Sequence, residues 1–107
     1  MTVAVYGTLK KGYSNHRYLL DAEYQGTCKV QGFTMYEHTS GMYPYVVPSK
    51  DPIEVEVYVG ANMNDLDWLE GYPEYYNRKE LATPFGLAWI YYMEHKNKEA
   101  DKQIEVW

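Results

Sequence analysis

A chain of 107 residues with 46% hydrophobic and 23% charged side chains has room for one domain, residues 1–107, whose core needs neither disulfide nor metal to hold it. Its formal charge of -5 and pI near 5.1 oppose binding to nucleic acid or an anionic membrane, both of which demand clustered Lys and Arg, so a small molecule is the expected partner. The lone Cys28 excludes an internal disulfide, no apolar run approaches the roughly 20 residues that span a bilayer, and the first residues do not resemble a leader; a reducing cytoplasm is the expected location.

In chain order, Thr2 to Tyr6 is short, apolar and β-branched and breaks at Gly7, which predicts a first strand running into a loop that continues through Gly12. Asn15 is placed to cap a short helix over His16 to Asp21, with Leu19 and Leu20 on its buried side. Tyr24 to Glu37 has mixed alternation and glycines at 26 and 32, consistent with two strands or one bent strand. Gly41 to Pro52 carries three prolines among aromatics. Because proline cannot donate to a ladder, the expectation there is a loop folded over a pocket rather than a strand.

Ile53, Val55, Val57 and Val59 alternate with Glu54, Glu56 and Tyr58, the pattern of a half-buried strand. Asn62 or Asn64 can cap the next segment, Asp65 and Asp67 suit its first turn, Leu66 and Leu69 share a face, and Gly71 ends it before Pro73. Glu70 therefore falls on the last turn of a short helix. Arg78 to Thr83 and Leu87 to Met93 read as a hairpin about Pro84-Phe85-Gly86. Glu94 to Lys102 is a polar, solvated stretch before a possible last strand at Ile104 to Trp107. Strands outnumber helices, so the expected architecture is α+β, with a mixed, mostly antiparallel, barrel-like sheet flanked by short helices.

Among residues that carry chemistry, His16, His38 and His95 are far apart and no Cys or His pair has zinc-ligand spacing, so no metal or other cofactor is expected. No nucleophile elbow is present, and Cys28 lies in a strand-like stretch with no base signature beside it. Gly7-Thr8-Leu9-Lys10-Lys11-Gly12-Tyr13-Ser14 nearly reproduces a phosphate loop, but Tyr13 stands where the lysine belongs, so the means of holding a triphosphate is missing. A glycine after a strand can still leave amides unpaired, as in an oxyanion or carboxylate nest. Glu70 is the carboxylate most open to perturbation: a helix C-terminus disfavours negative charge, and Trp68, Tyr72, Tyr75 and Tyr76 are close enough in sequence to desolvate it. Spacing alone also allows an ordinary exposed glutamate there, and allows Arg78 either an ion pair or a substrate contact. The 13 tyrosines against 2 phenylalanines suit the wall of a wet pocket, and equally a half-exposed strand surface.

Two blocks carry a resemblance. Val3-Ala4-Val5-Tyr6-Gly7-Thr8-Leu9-Lys10-Lys11-Gly12 followed by Asn15-His16 resembles the opening of the gamma-glutamylcyclotransferase-like (AIG2-like) family. Glu56-Val57-Tyr58, Leu66-Asp67-Trp68-Leu69-Glu70-Gly71-Tyr72-Pro73 and Tyr76-Asn77-Arg78 resemble its middle strand and its Leu-Asp-x-Leu-Glu-Gly and Tyr-x-Arg block. Order and spacing agree across most of the chain, and the likeness is to the short branch that includes gamma-glutamylamine cyclotransferase and the butirosin-pathway cyclotransferase.

The resemblance implies a barrel with short helices and a substrate site formed by Tyr6, Gly7, Thr8, Leu9, Tyr76 and Arg78. It implies that Glu70 is the catalytic acid and base, and that the reaction makes 5-oxoproline from a gamma-glutamyl amine or amino acid without metal or cofactor. Val55 departs from the glycine many relatives carry before Glu-x-Tyr, and Tyr43-Pro44-Tyr45 is the expected wall of the leaving-group pocket. A non-catalytic module binding a small carboxylate or peptide is the rival reading on the same scaffold.

Overall fold

The computed structural model describes residues 1–107. Its axis is the alternating segment identified in the sequence: Ile53, Val55 and Val57 are fully buried in a long strand that pairs on both edges. The strands are β1 (Thr2–Val5), β2 (Glu23–Glu37), β3 (Pro44–Val59), β4 (Asn77–Thr83), β5 (Gly86–Tyr92) and β6 (Lys102–Ile104), with one α-helix, α1 (Met63–Glu70), and a 3-10 turn at His16–Leu19. They form one sheet in the order β4-β5-β1-β3-β2-β6, curled into a half-barrel. Every pairing is antiparallel except β1 with β5, where Val3 lies opposite Trp89.

The central β1 is buried on both faces, which explains its unbroken apolar reading. Ala4 and Tyr6 join Val55, Val57 and Ile90 in a cluster on one face. Val3 and Val5 join Leu19, Met63 and Leu66 in a second cluster beneath α1 and the 3-10 turn. The helix starts at the first of the two caps the sequence allows: the Asn62 side-chain Oδ1 accepts the Asn64 and Asp65 N–H groups at 3.1 and 3.3 Å. It ends at Gly71, whose φ of 64° is the left-handed cap.

Tyr24 to Glu37 is one bent strand, its pairing to β3 shifting register at Tyr24/Gly26 and Gln31/Phe33. The expected loop at Gly41 to Pro52 is instead strand from Pro44 onward. The prolines are tolerated because of where their missing N–H groups would point. The Val46 carbonyl accepts the Met93 N–H at 2.8 Å, so Val46 directs its main-chain groups away from β2. Pro44 and Pro48, two residues to either side in unbroken register, face the same way, and no β2 bond is lost. Pro52 sits where the register shifts. The short helix expected over His16 to Asp21 is a single 3-10 turn without a side-chain cap from Asn15, and the last strand ends at Ile104 rather than reaching Trp107.

The polar stretch before β6 is exposed, as its composition implies, except at Asp101. Asp101 is buried and accepts the Thr39 and Lys98 N–H groups at 2.9 and 3.1 Å and the Tyr45 hydroxyl. Burial works to raise its pKa, but those three bonds outweigh burial and hold the carboxyl below the usual range. Tyr45 in turn accepts the Asn97 N–H at 2.9 Å. Asp101→Ala strips the acceptor from two amides and a buried phenol, so urea denaturation should report a loss of about 2–4 kcal/mol.

Candidate active site

A cavity of about 820 Å³ opens where the end of β1, the end of α1, the 38–44 connection and the end of β5 meet. The Tyr6-Gly7-Thr8-Leu9 loop and Glu70 both line it, as do Tyr76, Tyr43 and Pro44. Two stretches 60 residues apart in sequence thus face one space, because β1 and α1 share the second apolar cluster.

The loop is held by its carbonyl oxygens. Gly7 O accepts the Lys10 N–H at 2.9 Å, Thr8 O accepts the Asn15 N–H at 2.9 Å, and Leu9 O lies 3.0 Å from His16 Nδ1. The Asn15 side chain, expected as a helix cap, instead donates to Thr8 Oγ1 at 2.9 Å. Since a planar peptide sets its N–H opposite its C=O, tethering the Gly7 and Thr8 carbonyls also sets the following amides, Thr8 and Leu9. The N–H groups of Gly7, Thr8 and Leu9 make no hydrogen bond within the chain. Such an array of free, fixed donors suits an oxyanion or a carboxylate.

Gly7 is required for a reason the sequence does not reveal. A Cβ there would lie 2.8 Å from Pro44 Cδ and Cγ, so the loop runs directly against the start of β3. Gly71 combines its positive φ with a similar approach, 2.8 Å from Tyr75 Cδ2, which seats the Tyr75 ring beside the end of the helix.

Glu70 is half-buried, and burial pushes its carboxyl up to about 7, consistent with the desolvation expected from its aromatic neighbours. Trp68, Tyr75 and Tyr76 line the cavity with it, whereas Tyr72 turns away. Tyr6 donates its hydroxyl to Tyr91 O at 2.8 Å. Burial, followed by the proximity of Tyr76 and Glu70, keeps the Tyr6 phenol well above its usual range. Burial and then Glu70 do the same for Tyr76. The carboxyl is therefore the one acid among these groups that exchanges protons near neutral pH.

Arg78 lies outside the cavity lining. Its Nε is 3.1 Å from Asp67 Oδ1, an ion pair rather than an aligned hydrogen bond, and its guanidinium is packed between Tyr72 and Trp89, 4.7 and 4.4 Å from their ring centroids. Asp67 also accepts the Tyr91 hydroxyl at 2.7 Å. Of the two roles the spacing allowed, the structure places Arg78 in the ion pair, fastening α1 to β4 one turn before Glu70. Tyr45 likewise points away, to Asp101, while Tyr43 and Pro44 form the wall. Met42 belongs to the segment expected over a pocket, whereas His38, Tyr91 and Met93 also line the cavity without any local sequence signal. They arrive through the curl of the sheet.

Residues 3–107 match the family described as gamma-glutamyl cyclotransferase, AIG2-like, and the chain belongs to it. A Vibrio cholerae protein named as a putative gamma-glutamylcyclotransferase is 36% identical over 99 residues, covering 90% of this chain and 84% of its own. The crystal structure of an uncharacterised Pyrococcus horikoshii protein superposes with a TM-score of 0.79 at 30% identity, over 98% of this chain and 86% of that one. A mouse AIG2-like protein shares the fold, with a TM-score of 0.83 at 24% identity over 99% and 86% of the two chains. No helix is long and apolar enough to cross a membrane.

Proposed function

We propose that this protein is a gamma-glutamylcyclotransferase-type enzyme, converting a gamma-glutamyl amine or amino acid to 5-oxoproline and a free amine. The observation that carries this reading is one cavity lined both by a carboxyl poised near pH 7 and by the loop whose three amides are unpaired.

The substrate's glutamyl end rests on Tyr6 to Leu9 with Tyr76 on the opposite wall. Glu70 as carboxylate takes a proton from the substrate's α-ammonium, and the freed amine attacks the γ-amide carbonyl of the same molecule. A C–N bond forms, closing a five-membered ring, and the charge that develops on oxygen is stabilised by loop amides. Protonated Glu70 passes its proton to the departing nitrogen and then removes the second proton from the ring nitrogen as the original amide C–N bond breaks. The released amine collects that proton, and Glu70 ends as the carboxylate it began as. Two protons leave one nitrogen and two reach the other. Because nucleophile and electrophile belong to one molecule, holding the productive rotamer supplies much of the acceleration.

Incubation of purified protein with a panel of gamma-glutamyl amines and amino acids should release 5-oxoproline and amine in equal amounts. The free-enzyme pH profile of kcat/KM should rise through about 7, where Glu70 loses its proton. Tight binding with no product across the panel would leave a binding module and discard the enzyme.

A further inference from the structure

Resting on that cyclisation reading, we propose that the amine this enzyme releases carries a second positive charge at its far end and no carboxylate, as a diamine does. The cavity lacks a free cationic side chain. Its lining contains no Lys and no Arg. The basic side chain it does contain, His38, engages Ser40 through Nδ1 at 2.9 Å and stacks on Tyr43 at 4.6 Å between ring centroids. Lys10, close by in sequence, is buried and donates to Trp107 O. Arg17 donates to the carbonyl of the lining residue Ser14 and lies over Tyr18.

Of the three unpaired loop amides, one serves the developing oxyanion, which leaves donors for a single carboxylate, the glutamyl α-carboxylate. A leaving amino acid brings a second, and the cavity has no cation to meet it. Placing an unpaired carboxylate beside Glu70 adds like-charge repulsion to desolvation.

The rim offers open aromatic faces instead. Trp68 and Tyr75 are 76% and 78% exposed, large rings left open to solvent at the cavity mouth. Elsewhere this chain puts cations over its rings freely. Arg78 covers Tyr72 and Trp89, Lys79 covers Phe33 and Tyr92, Lys10 covers Tyr13, and Arg17 and Lys96 take one ring each. The cavity rings Trp68, Tyr75, Tyr43 and Tyr76 have no protein cation over them. Trp and Tyr faces attract ammonium groups through the ring quadrupole, Trp most strongly. The net charge of -5 draws cations toward the protein as well. Uncovered aromatic faces around an acidic group, with no basic side chain free, fit an ammonium at the end of a short alkyl chain.

Three conjugates of matched length isolate the far-end charge: gamma-glutamyl-1,4-diaminobutane, gamma-glutamyl-n-pentylamine and gamma-glutamyl-4-aminobutyrate. The expected order of kcat/KM is cationic, neutral, anionic, with the first at least tenfold above the second and a hundredfold above the third. Raising salt should narrow the cationic-to-anionic ratio. Trp68→Leu and Tyr75→Leu should each shrink the cationic-to-neutral ratio several-fold, an effect that general loss of fold does not produce because both substrates share the glutamyl half. Equal rates for all three, or fastest turnover of the aminobutyrate conjugate, overturns this inference and leaves the cyclisation standing. No 5-oxoproline from any of them, or from the wider panel, overturns both.

Discussion

Glu70→Gln should lower turnover by roughly 10²–10⁴-fold, the range over which a positioned acid and base contributes, while making the protein more stable above neutral pH. Both halves follow from one fact: the carboxyl is half-buried and held at about 7 against an ordinary 4.5. The folded state keeps its proton up to about pH 7, whereas the unfolded chain releases it near 4.5. Between those values the folded state binds more protons, so this group's contribution to stability falls as pH rises through the window and is flat above it. The ceiling on that loss is about 3 kcal/mol, and partial access to water lowers it.

Glutamine is near-isosteric and never ionises, so the variant escapes the penalty. Urea denaturation at pH 4 should give the two proteins about equal stability, and at pH 8 the variant should be ahead by about 1–3 kcal/mol. Retained turnover in the variant removes Glu70 from the mechanism. A stability difference that does not change with pH removes the desolvated carboxyl.

Gly7→Ala is expected to cost about 10²-fold in turnover, the scale of a small misplacement of groups that orient a substrate, together with about 1–3 kcal/mol of stability from overpacking. The new methyl would stand 2.8 Å from two ring carbons of Pro44. That ring cannot rotate aside, since proline has no free χ1 and the Pro44 backbone is paired opposite Glu37 in β3. The loop must move instead, taking the Gly7 to Leu9 amides with it. Adding Pro44→Ala removes Cγ and Cδ, so the double variant should recover a tenfold or greater part of the lost activity. A double variant no better than Gly7→Ala alone shows that the contact does not position the loop.

Glu70 and the Tyr6 to Leu9 loop were both legible as candidates before any coordinates. A short capped helix ending in glycine placed the acid, and a strand breaking at glycine placed the amides. Those are local signals, and local chemistry decides them. The walls of the cavity were only partly legible. Tyr43 and Pro44 belonged to a segment expected as loop and found largely as strand, because proline tolerance depends on which edge is paired, and pairing is a tertiary fact. Asn15 had a helix-cap signature, yet a nearby loop oxygen claimed its side chain. Arg78 offered two roles at equal spacing, and the packing of β4 against Asp67 of α1 selected the ion pair.

By itself, then, the amino-acid order determined the apolar alternation of β3, the presence of α1 and its glycine stop, the hairpin of β4 and β5, and the family, and it offered Glu70 as a candidate whose burial spacing alone left open. Periodicity, capping and turn chemistry act within about ten residues and leave a direct trace in the chain. The curl of the sheet decided the rest: it brought the end of β1 and the end of α1 to one cavity, set Pro44 against Gly7, buried Asp101, and left Trp68 and Tyr75 uncovered at the rim. These depend on contacts between residues distant in sequence, whose geometry emerges only when both faces of the central strands are packed at once.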